Sequence, residues 1–211
     1  MKIVEVKELA IPDIKVIKFT RFKDNRGYFT ESFRLQDIQS LDFFKNFNFY
    51  QINESFSQPN VVRGLHFQWN PYMGKLIRTI KGRMIDLALD IRKGSPAFGK
   101  IIAYDMPMDF NKEYSEWIWI PPGFAHGNIF TEETVIEYLC TGWWSPSTEA
   151  GISPLAEDID WSLCDKENKD IFDLVVSTNP LMSEKDKMAM SLKQWIADPR
   201  SENFIFGMNF Y

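Results

Sequence analysis

The sequence predicts an all-β fold, a sandwich or a barrel, for most of its 211 residues. Two observations support this prediction. Short segments rich in β-branched and aromatic residues recur at near-regular spacing from Val4 to about Gly142. Strong turn formers separate these segments, and only one short helical pattern lies among them. Repeated short strands of this kind are typical of sandwiches and barrels.

The first elements lie between residues 15 and 44. Lys15–Thr20 alternates between apolar and polar residues, which predicts a strand with one solvated side. Lys23–Gly27 predicts a turn, and the aromatic segment Tyr28–Phe33 predicts a second strand. Leu35–Phe44 carries an apolar residue at every third position, which predicts a short helix.

Eight further segments predict the strands that complete the β-rich part. They are Phe49–Asn53, Arg63–Gln68, Gly74–Ile80, Arg83–Ile91, Gly99–Tyr104, Glu116–Ile120, His126–Phe130 and Thr134–Thr141. Glycine and proline occupy the connections at 81–82, 93–96 and 121–123, as expected for tight turns.

The C-terminal part, from about residue 183, has a different pattern. Ser183 followed by Asp186 resembles a capping box, and the apolar residues after it predict a capped amphipathic helix. Asn203–Tyr211 is an aromatic tail without a charged side chain, which we expect to pack against protein. We interpret residues 1–211 as a single domain that includes this helix and tail.

Composition excludes several functions. With 24 Lys and Arg against 29 Asp and Glu, the net charge is −5, which disfavours nucleic-acid binding. The sequence contains no run of about 18 uncharged apolar residues, so it predicts no membrane span. Two cysteines fit a reducing compartment, so we expect a cytoplasmic protein. Two histidines are too few for most transition-metal sites, so we expect no metal.

His66 is the first candidate for chemistry. On a strand it shares a face with Gln68, while Arg63 and Leu65 point the other way. The simpler alternative is a core histidine satisfied by one hydrogen bond. Polar residues at strand alternation elsewhere predict a partly polar barrel interior, although periodicity alone also allows the solvent face of a sandwich.

Other candidates also have structural alternatives. His126 follows a rigid turn and could simply cap a backbone carbonyl. Tyr138 lies in a predicted strand, where a buried hydroxyl needs only one partner. Trp144 could belong to the core or an interface, or could stack on a nucleobase. Asp186 could act only as part of the helix cap with Ser183.

Taken together, the motifs resemble those of a known family. In order, the chain contains Arg26-Gly-Tyr-Phe-x-Glu31, Gln51-x-Asn53-x-Ser55, Arg63-Gly-Leu-His66-Phe-Gln68, Gly74-Lys75-Leu, Asp90-Ile-Arg92-x-Gly94-Ser-Pro96-x-Phe98-Gly99, Trp119-Ile-Pro-x-Gly-Phe-Ala-His126-Gly127, Tyr138-x-Cys-Thr141 and Ser183-Glu-Lys-Asp186. This ordered set resembles the dTDP-4-dehydrorhamnose 3,5-epimerase family. The resemblance implies a cupin-type jelly-roll β-barrel with short peripheral helices, a homodimer, and catalysis without metal or cofactor.

The resemblance also implies roles for individual residues. His66 would be the general base, Tyr138 the acid on the opposite sugar face, Lys75 the partner of the C4 oxygen, and Asp186 the residue that orients His66. Trp144 would stack on the thymine. The remaining implied substrate contacts, together with Lys75, are Arg26, Glu31, Gln51, Asn53, Arg63, His126, Glu149 and Lys185.

The chemistry agrees with these roles. Proton removal beside a ketone creates an enolate, which needs a base, an oxyanion stabiliser and a separate donor. The chain departs from the family pattern at Gly142-Trp-Trp144, where Asp-Tyr-Tyr is usual, and it continues well beyond Asp186.

The sequence therefore predicts epimerisation at C3, C5 or both of a nucleotide-diphosphate 4-keto-6-deoxy sugar, in rhamnose-like biosynthesis. Two alternatives remain. One is a single-centre epimerase or keto-isomerase, and the other is a nucleotide-sugar-binding cupin without activity.

Overall fold

Thirteen strands make up most of the fold in the computed structural model, which describes residues 1–211. The strands are β1 (Ile3–Glu8), β2 (Lys15–Thr20), β3 (Phe22–Asp24), β4 (Gly27–Phe29), β5 (Gln51–Ser57), β6 (Val61–Gln68), β7 (Lys75–Lys81), β8 (Arg83–Asp90), β9 (Ile101–Pro107), β10 (Tyr114–Ile120), β11 (Phe124–Phe130), β12 (Thr134–Cys140) and β13 (Glu149–Gly151).

Two antiparallel sheets face each other, as in a jelly roll. The first has the strand order β1-β2-β10-β7-β12-β5, and the second has the order β13-β6-β11-β8-β9. Strands β3 and β4 form a separate hairpin. The predicted all-β jelly-roll class is confirmed by this arrangement.

The helices are short and lie outside the sheets. They are α1 (Leu35–Gln39), α2 (Lys166–Ser177), α3 (Glu184–Lys187) and α4 (Leu192–Ala197), with 3-10 turns at Asp42–Phe44, Pro146–Thr148 and Pro199–Asn203. No helix is long and apolar enough to cross a lipid bilayer.

Three apolar clusters hold the layers together. The inner cluster lies between the sheets and includes Ile77 and Ile136 from the first sheet with Met84 and Phe130 from the second. A second cluster packs α2 and α4 on the outer face of the second sheet, and a third packs the 35–44 region on the first. Burial of these apolar faces is the main favourable contribution to folding.

Strand predictions agree closely with the structure from β6 to β12, whereas the prediction for β5, Phe49–Asn53, overlaps the observed Gln51–Ser57 at only three residues. The predicted strand Thr134–Thr141, for example, is observed as β12 over Thr134–Cys140. The predicted strand Tyr28–Phe33 is wrong beyond Phe29, where β4 ends. Strands β1, β3 and β13 and helix α2 were not predicted individually, and β3 includes Lys23 and Asp24 of the predicted turn.

Two predicted helices are each divided in the structure. The Leu35–Phe44 segment is interrupted at Leu41, which is extended with φ −82° and ψ 124°. The predicted C-terminal helix is interrupted because Met190 forms a parallel bridge with Ile152. Ser191 then begins α4 with its own capping box to Gln194.

The aromatic tail packs on its own chain. Phe204 is fully buried in the cluster under α4, and the Phe210 ring lies 5.0 Å from the Tyr72 ring. Phe206 donates its backbone N–H to the Lys93 carbonyl. The expectation that this tail packs against protein is therefore confirmed.

Candidate active site

His66 on β6 and Asp186 on α3 form a hydrogen-bonded pair. Asp186 Oδ1 lies 2.7 Å from His66 Nε2, and Asp186 Oδ2 accepts the Gly64 backbone N–H at 3.2 Å. Ser183 does cap α3 by accepting the Asp186 N–H at 3.1 Å. The carboxylate itself points to the strand, so helix capping alone does not account for Asp186.

The environment of Asp186 favours its charged form. Burial would raise the pKa of Asp186, but the hydrogen bonds from His66 and from the Gly64 N–H hold that pKa below its ordinary value of 3.8. A carboxylate accepts, so His66 donates through Nε2–H and keeps a lone pair on Nδ1. The pair is therefore arranged to hold an imidazole that can accept a proton.

A β-bulge at Gly64 places Arg63 on the same face of β6 as His66, with the arginine side chain exposed. His126 pairs with His66 while Asn128 pairs with Arg63, so two residues of β6, Gly64 and Leu65, oppose the single residue Gly127 of β11. Arg63 therefore shares the inner face with His66, and Leu65 packs in the outer cluster. The predicted grouping of Arg63 with Leu65 is wrong because strict alternation breaks at the bulge.

Glycine is required at position 64 for the close approach of β6 to β11. Its φ is +99°, and a Cβ there would lie 2.6 Å from the His126 carbonyl oxygen. Residues with a side chain rarely adopt this φ, and the contact leaves no room for one. The glycine of the Arg63-Gly-Leu-His66 motif thus permits β6 and β11 to come close beside both histidines.

His126 belongs to a buried polar cluster between the sheets. Asp86 Oδ2 lies 2.7 Å from His126 Nε2 and accepts from Asn128 Nδ2 at 3.0 Å. Lys75 Nζ approaches His126 Nδ1 at 3.4 Å from the opposite sheet. The backbone-cap interpretation of His126 is therefore wrong, and the predicted partly polar interior is present.

Burial sets the protonation of this cluster. Desolvation lowers the pKa of His126, against the charge of Asp86, which raises it. Burial likewise lowers the pKa of Lys75, although Cys140, Glu149 and Asp86 oppose the shift. The contacts fit a neutral His126 that donates to Asp86 from Nε2 and accepts from Lys75 at Nδ1.

Asp86 and Asn128 are the polar partners that sequence reasoning did not nominate. Asp86 is 1% exposed and Asn128 4%, and Asp86 Oδ1 has no hydrogen-bond partner. The alternation of Asp86 with Ala88 and Asp90 was the available signal, but it did not identify His126 as the partner.

The first sheet supplies the opposite wall. In register, Tyr138 lies beside Asn53, and Cys140 lies between Gln51 and Lys75. Neighbours directly across an antiparallel pair share a face. The sheet pairing thus brings together four predicted site residues.

Tyr138 is held in its protonated form. Burial raises the pKa of Tyr138 above its ordinary value of 10.0, and the neighbouring Cys140 raises it further, against the hydrogen bond of Asn53. At neutral pH the phenol is therefore a proton donor. It faces the interior from the sheet opposite to His66.

Arg63 keeps part of its guanidinium free. Its Nε donates to Ser57 Oγ at 2.9 Å, and Nη2 donates to the Phe56 carbonyl at 3.1 Å. Nη1 makes no hydrogen bond within the chain, so it is available to an anion.

Trp144 lies at the rim, on a loop fixed by two glutamines. Gln68 donates to the Trp143 carbonyl at 3.0 Å and accepts from Ser145 N at 2.8 Å, while Gln51 accepts from Trp144 N at 2.9 Å. The Trp144 ring is 57% exposed. A fixed backbone with an exposed ring suits a stacking surface.

Glu149 and Lys185 form an ion pair beside His66. Both line a cavity of about 180 Å³ that His66 also lines. Four larger cavities, of about 560, 730, 340 and 410 Å³, contain none of the predicted site residues.

Arg26 and Glu31 do not join this cluster. Arg26 is exposed in the β3–β4 hairpin and pairs with Asp24. Glu31 accepts from the amino group of Met1 and from Arg34. Neither has a hydrogen bond or ion pair to the histidines or to their carboxylate partners.

No three His, Cys, Asp or Glu side chains lie close enough together to hold a metal ion. The chemistry that the arrangement offers is proton transfer. It combines the oriented imidazole of His66 with the protonated phenol of Tyr138 and the amino group of Lys75, both carried by the opposite sheet.

Comparisons with known proteins agree with this geometry. The sequence model of the family described as dTDP-4-dehydrorhamnose 3,5-epimerase matches residues 8–194. The enzyme of that name from Salmonella typhimurium is 36% identical over 193 residues, covering 90% of this chain and 96% of the relative.

Solved structures are similar over nearly the whole chain. A dTDP-6-deoxy-D-glucose-3,5-epimerase from Legionella pneumophila, in complex with dTDP-4-keto-L-rhamnose, has a TM-score of 0.78 at 30% identity and covers 97% of this chain and 99% of its own. The dTDP-4-dehydrorhamnose 3,5-epimerase from Sulfolobus tokodaii has a TM-score of 0.72 at 37% identity, covering 92% and 97%.

Proposed function

The chain belongs to the dTDP-4-dehydrorhamnose 3,5-epimerase family, and from that premise we propose that it epimerises a dTDP-linked 4-keto-6-deoxy sugar at C3, C5 or both. The observation that carries the proposal is His66 on one sheet, paired with Asp186 of α3, with Tyr138 on the opposite sheet. The step belongs to deoxysugar biosynthesis of the rhamnose type.

His66 is the proposed base. Its Nδ1 takes the proton from the carbon beside the C4 ketone, and the electron pair of that C–H bond moves to the C4 oxygen as an enolate. Asp186 stabilises the imidazolium that forms and fixes the ring through Nε2. An imidazole suits this task because its unperturbed pKa lies near neutrality.

Lys75 is the proposed oxyanion partner. Its side chain lies next to His126, where burial lowers the pKa of Lys75 and the nearby Cys140, Glu149 and Asp86 oppose that shift. A negative charge forming on the C4 oxygen favours the ammonium form in the same way. Charge developing on the C4 oxygen is stabilised more strongly there than in water. His126 is the proposed substrate-site residue that accepts from Lys75 and positions it beside the sugar.

Tyr138 is the proposed acid. Its phenol delivers a proton to the carbon from the face opposite His66, which inverts the centre. The raised pKa of Tyr138 keeps that proton available at neutral pH. Solvent then protonates the phenolate and removes the proton from His66, which restores the resting enzyme.

The remaining side chains are proposed to bind substrate. Arg63 offers a free Nη1 to the diphosphate, and Trp144 offers an exposed ring to the thymine. The other proposed contacts are Gln51, Asn53, Glu149 and Lys185. The reaction as written needs no cofactor, since both protons exchange with protein groups.

A homodimer is the proposed assembly. Strand β5 is an edge of its sheet, and Ile52 and Phe56 on it are 59% and 50% exposed. An exposed apolar edge strand favours pairing with another chain. We place Arg26 and Glu31 at the substrate of the neighbouring subunit, because within one chain neither touches the histidine cluster.

The experiment for this function is solvent deuterium uptake across 4-keto sugars linked to dTDP, CDP and GDP, followed by NMR. The proposal expects uptake at C3, C5 or both, strongest with the dTDP sugar, with inverted product. Uptake at one position identifies a single-centre epimerase. Absence of uptake with every sugar overturns the proposal.

A further inference from the structure

We propose that Arg200, in the C-terminal extension, is an additional binding residue for the substrate diphosphate. The inference rests on the proposed function and concerns the same site. Arg200 lies beyond residues 8–194, the part that the family model matches. Its role is therefore not carried over from the shared motifs.

Arg200 lines the same cavity as the proposed base. That cavity of about 180 Å³ is lined by His66, Glu149, Lys185 and Arg200, together with small and methionine side chains. Ligand pockets usually measure roughly 300–1,000 Å³, so this cavity holds only part of a substrate. With the reacting sugar at His66, the part attached directly to it is the diphosphate.

The lining of the cavity carries two cations and one carboxylate. Glu149, the only lining carboxylate, is paired with Lys185, and Arg200 is paired with Asp198, which does not line the cavity. The chain as a whole carries a net charge of −5, so a diphosphate needs local cations for binding. The diphosphate is the only anionic part of the substrate.

The guanidinium is oriented but not saturated. Asp198 accepts from Arg200 Nε at 2.9 Å and from Nη2 at 2.6 Å. Nη1 has no partner within the chain. Arginine commonly binds phosphate through such free N–H groups, and charge-assisted bonds of this kind are the stronger ones.

The segment that carries Arg200 is anchored on both sides. Ser201 is fully buried, and its hydroxyl donates to the Asp198 carbonyl at 2.6 Å. Tyr72 donates to the Asn203 carbonyl at 3.0 Å, and Phe204 is fully buried in the core. An anchored arginine loses less entropy on binding than a free surface side chain.

The test is calorimetric titration of the full chain with dTDP and, separately, with thymidine. Arg200→Met keeps the aliphatic stem and removes the charge, and we expect it to weaken dTDP binding about 10-fold. Arg200→Lys should recover part of that loss. Thymidine binding should stay at the wild-type level in both variants, and KM for the keto sugar should rise with kcat unchanged.

Lys187→Met is the matched control. Lys187 is 44% exposed and ion-paired on α3, much as Arg200 is 48% exposed and ion-paired, but Lys187 does not line the cavity. We expect its dTDP affinity to equal that of the wild type. An equal loss in Lys187→Met would overturn the inference, since overall charge would then explain the effect.

Failure of this inference and failure of the proposed function are distinguishable. If the wild type takes up deuterium and Arg200→Met binds dTDP with an affinity within twofold of the wild-type affinity, only the role of Arg200 is overturned. A wild-type chain that neither binds dTDP nor exchanges deuterium overturns the proposed function and this inference with it.

Discussion

Asp186 Oδ1 lies 2.7 Å from Nε2 of His66, although the two residues are 120 positions apart in the chain. The contact places a short C-terminal helix against the strand that carries the histidine. It fixes which imidazole nitrogen holds the proton and leaves the other free. The proposed chemistry depends on this relationship more than on any other.

The first prediction concerns the charge of Asp186. Asp186→Asn keeps the shape of the side chain but cannot stabilise the imidazolium, so kcat/KM should fall roughly 10²- to 10⁴-fold. Steady-state kinetics measure this loss. Ser183→Ala is the control: it should lower the unfolding free energy by about 1 kcal/mol through loss of the cap, with kcat/KM near the wild-type value. Equal kinetic losses in both variants would show that Asp186 acts only through the helix.

The second prediction concerns the rim tryptophans. Trp144→Ala should weaken dTDP binding roughly 5- to 150-fold, because a stacked base contributes about 1–3 kcal/mol. Trp143 has similar exposure but packs edge-on against Tyr50 at 6.1 Å, so Trp143→Ala should have a smaller effect. Fluorescence or calorimetric titration compares the two. A larger loss in Trp143→Ala would move the stacking role to that residue.

The third prediction concerns the bulge. Gly64→Ala should lower the unfolding free energy by more than the roughly 1–3 kcal/mol expected from backbone strain alone, because its Cβ meets the His126 carbonyl. Gly94→Ala shares a positive φ, +81°, but its Cβ meets nothing within 4 Å. Chemical denaturation of both variants distinguishes the destabilisation caused by backbone strain from that caused by the steric clash. Equal destabilisation would contradict the close approach of β6 and β11.

The fourth prediction concerns pH and His126. Burial lowers the pKa of His126 below 6.5 in the folded chain, so as pH falls the unfolded chain takes up the proton first. The unfolding free energy should therefore decline below about pH 6.5, by up to about 1.4 kcal/mol per pH unit. His126→Gln should be less stable at neutral pH but should show a shallower decline between about pH 6.5 and 5. Parallel pH profiles for the two proteins would contradict a buried neutral His126.

Local sequence patterns predicted most of the sheets because strand signals are local. Alternation and turn residues located β7, β8, β11 and β12 to within three residues at either end. The same local reasoning did not predict α2, and it merged α3 with α4, because Met190 pairs with a strand instead of continuing a helix.

Sequence patterns did not predict the hydrogen-bond partners of the site residues, because tertiary contacts bring these partners together. Periodicity allowed His126 a backbone partner and Asp186 a capping role, whereas the fold gives each a partner from a distant segment. Asp86 was visible only as one of several alternating polar residues. Arg63 lies on the His66 face of β6 because of a β-bulge, which no alternation pattern predicts.

The central claim is that His66 and Tyr138 act on opposite faces of the sugar, and the stereochemistry of Tyr138→Phe in D₂O tests it most directly. This variant keeps the base, so NMR should show deuterium entering the substrate with retained configuration, while inversion falls at least roughly 100-fold. His66→Asn should show neither exchange nor inversion. Inversion by Tyr138→Phe at the wild-type rate, or exchange by His66→Asn at the wild-type rate, would contradict the account.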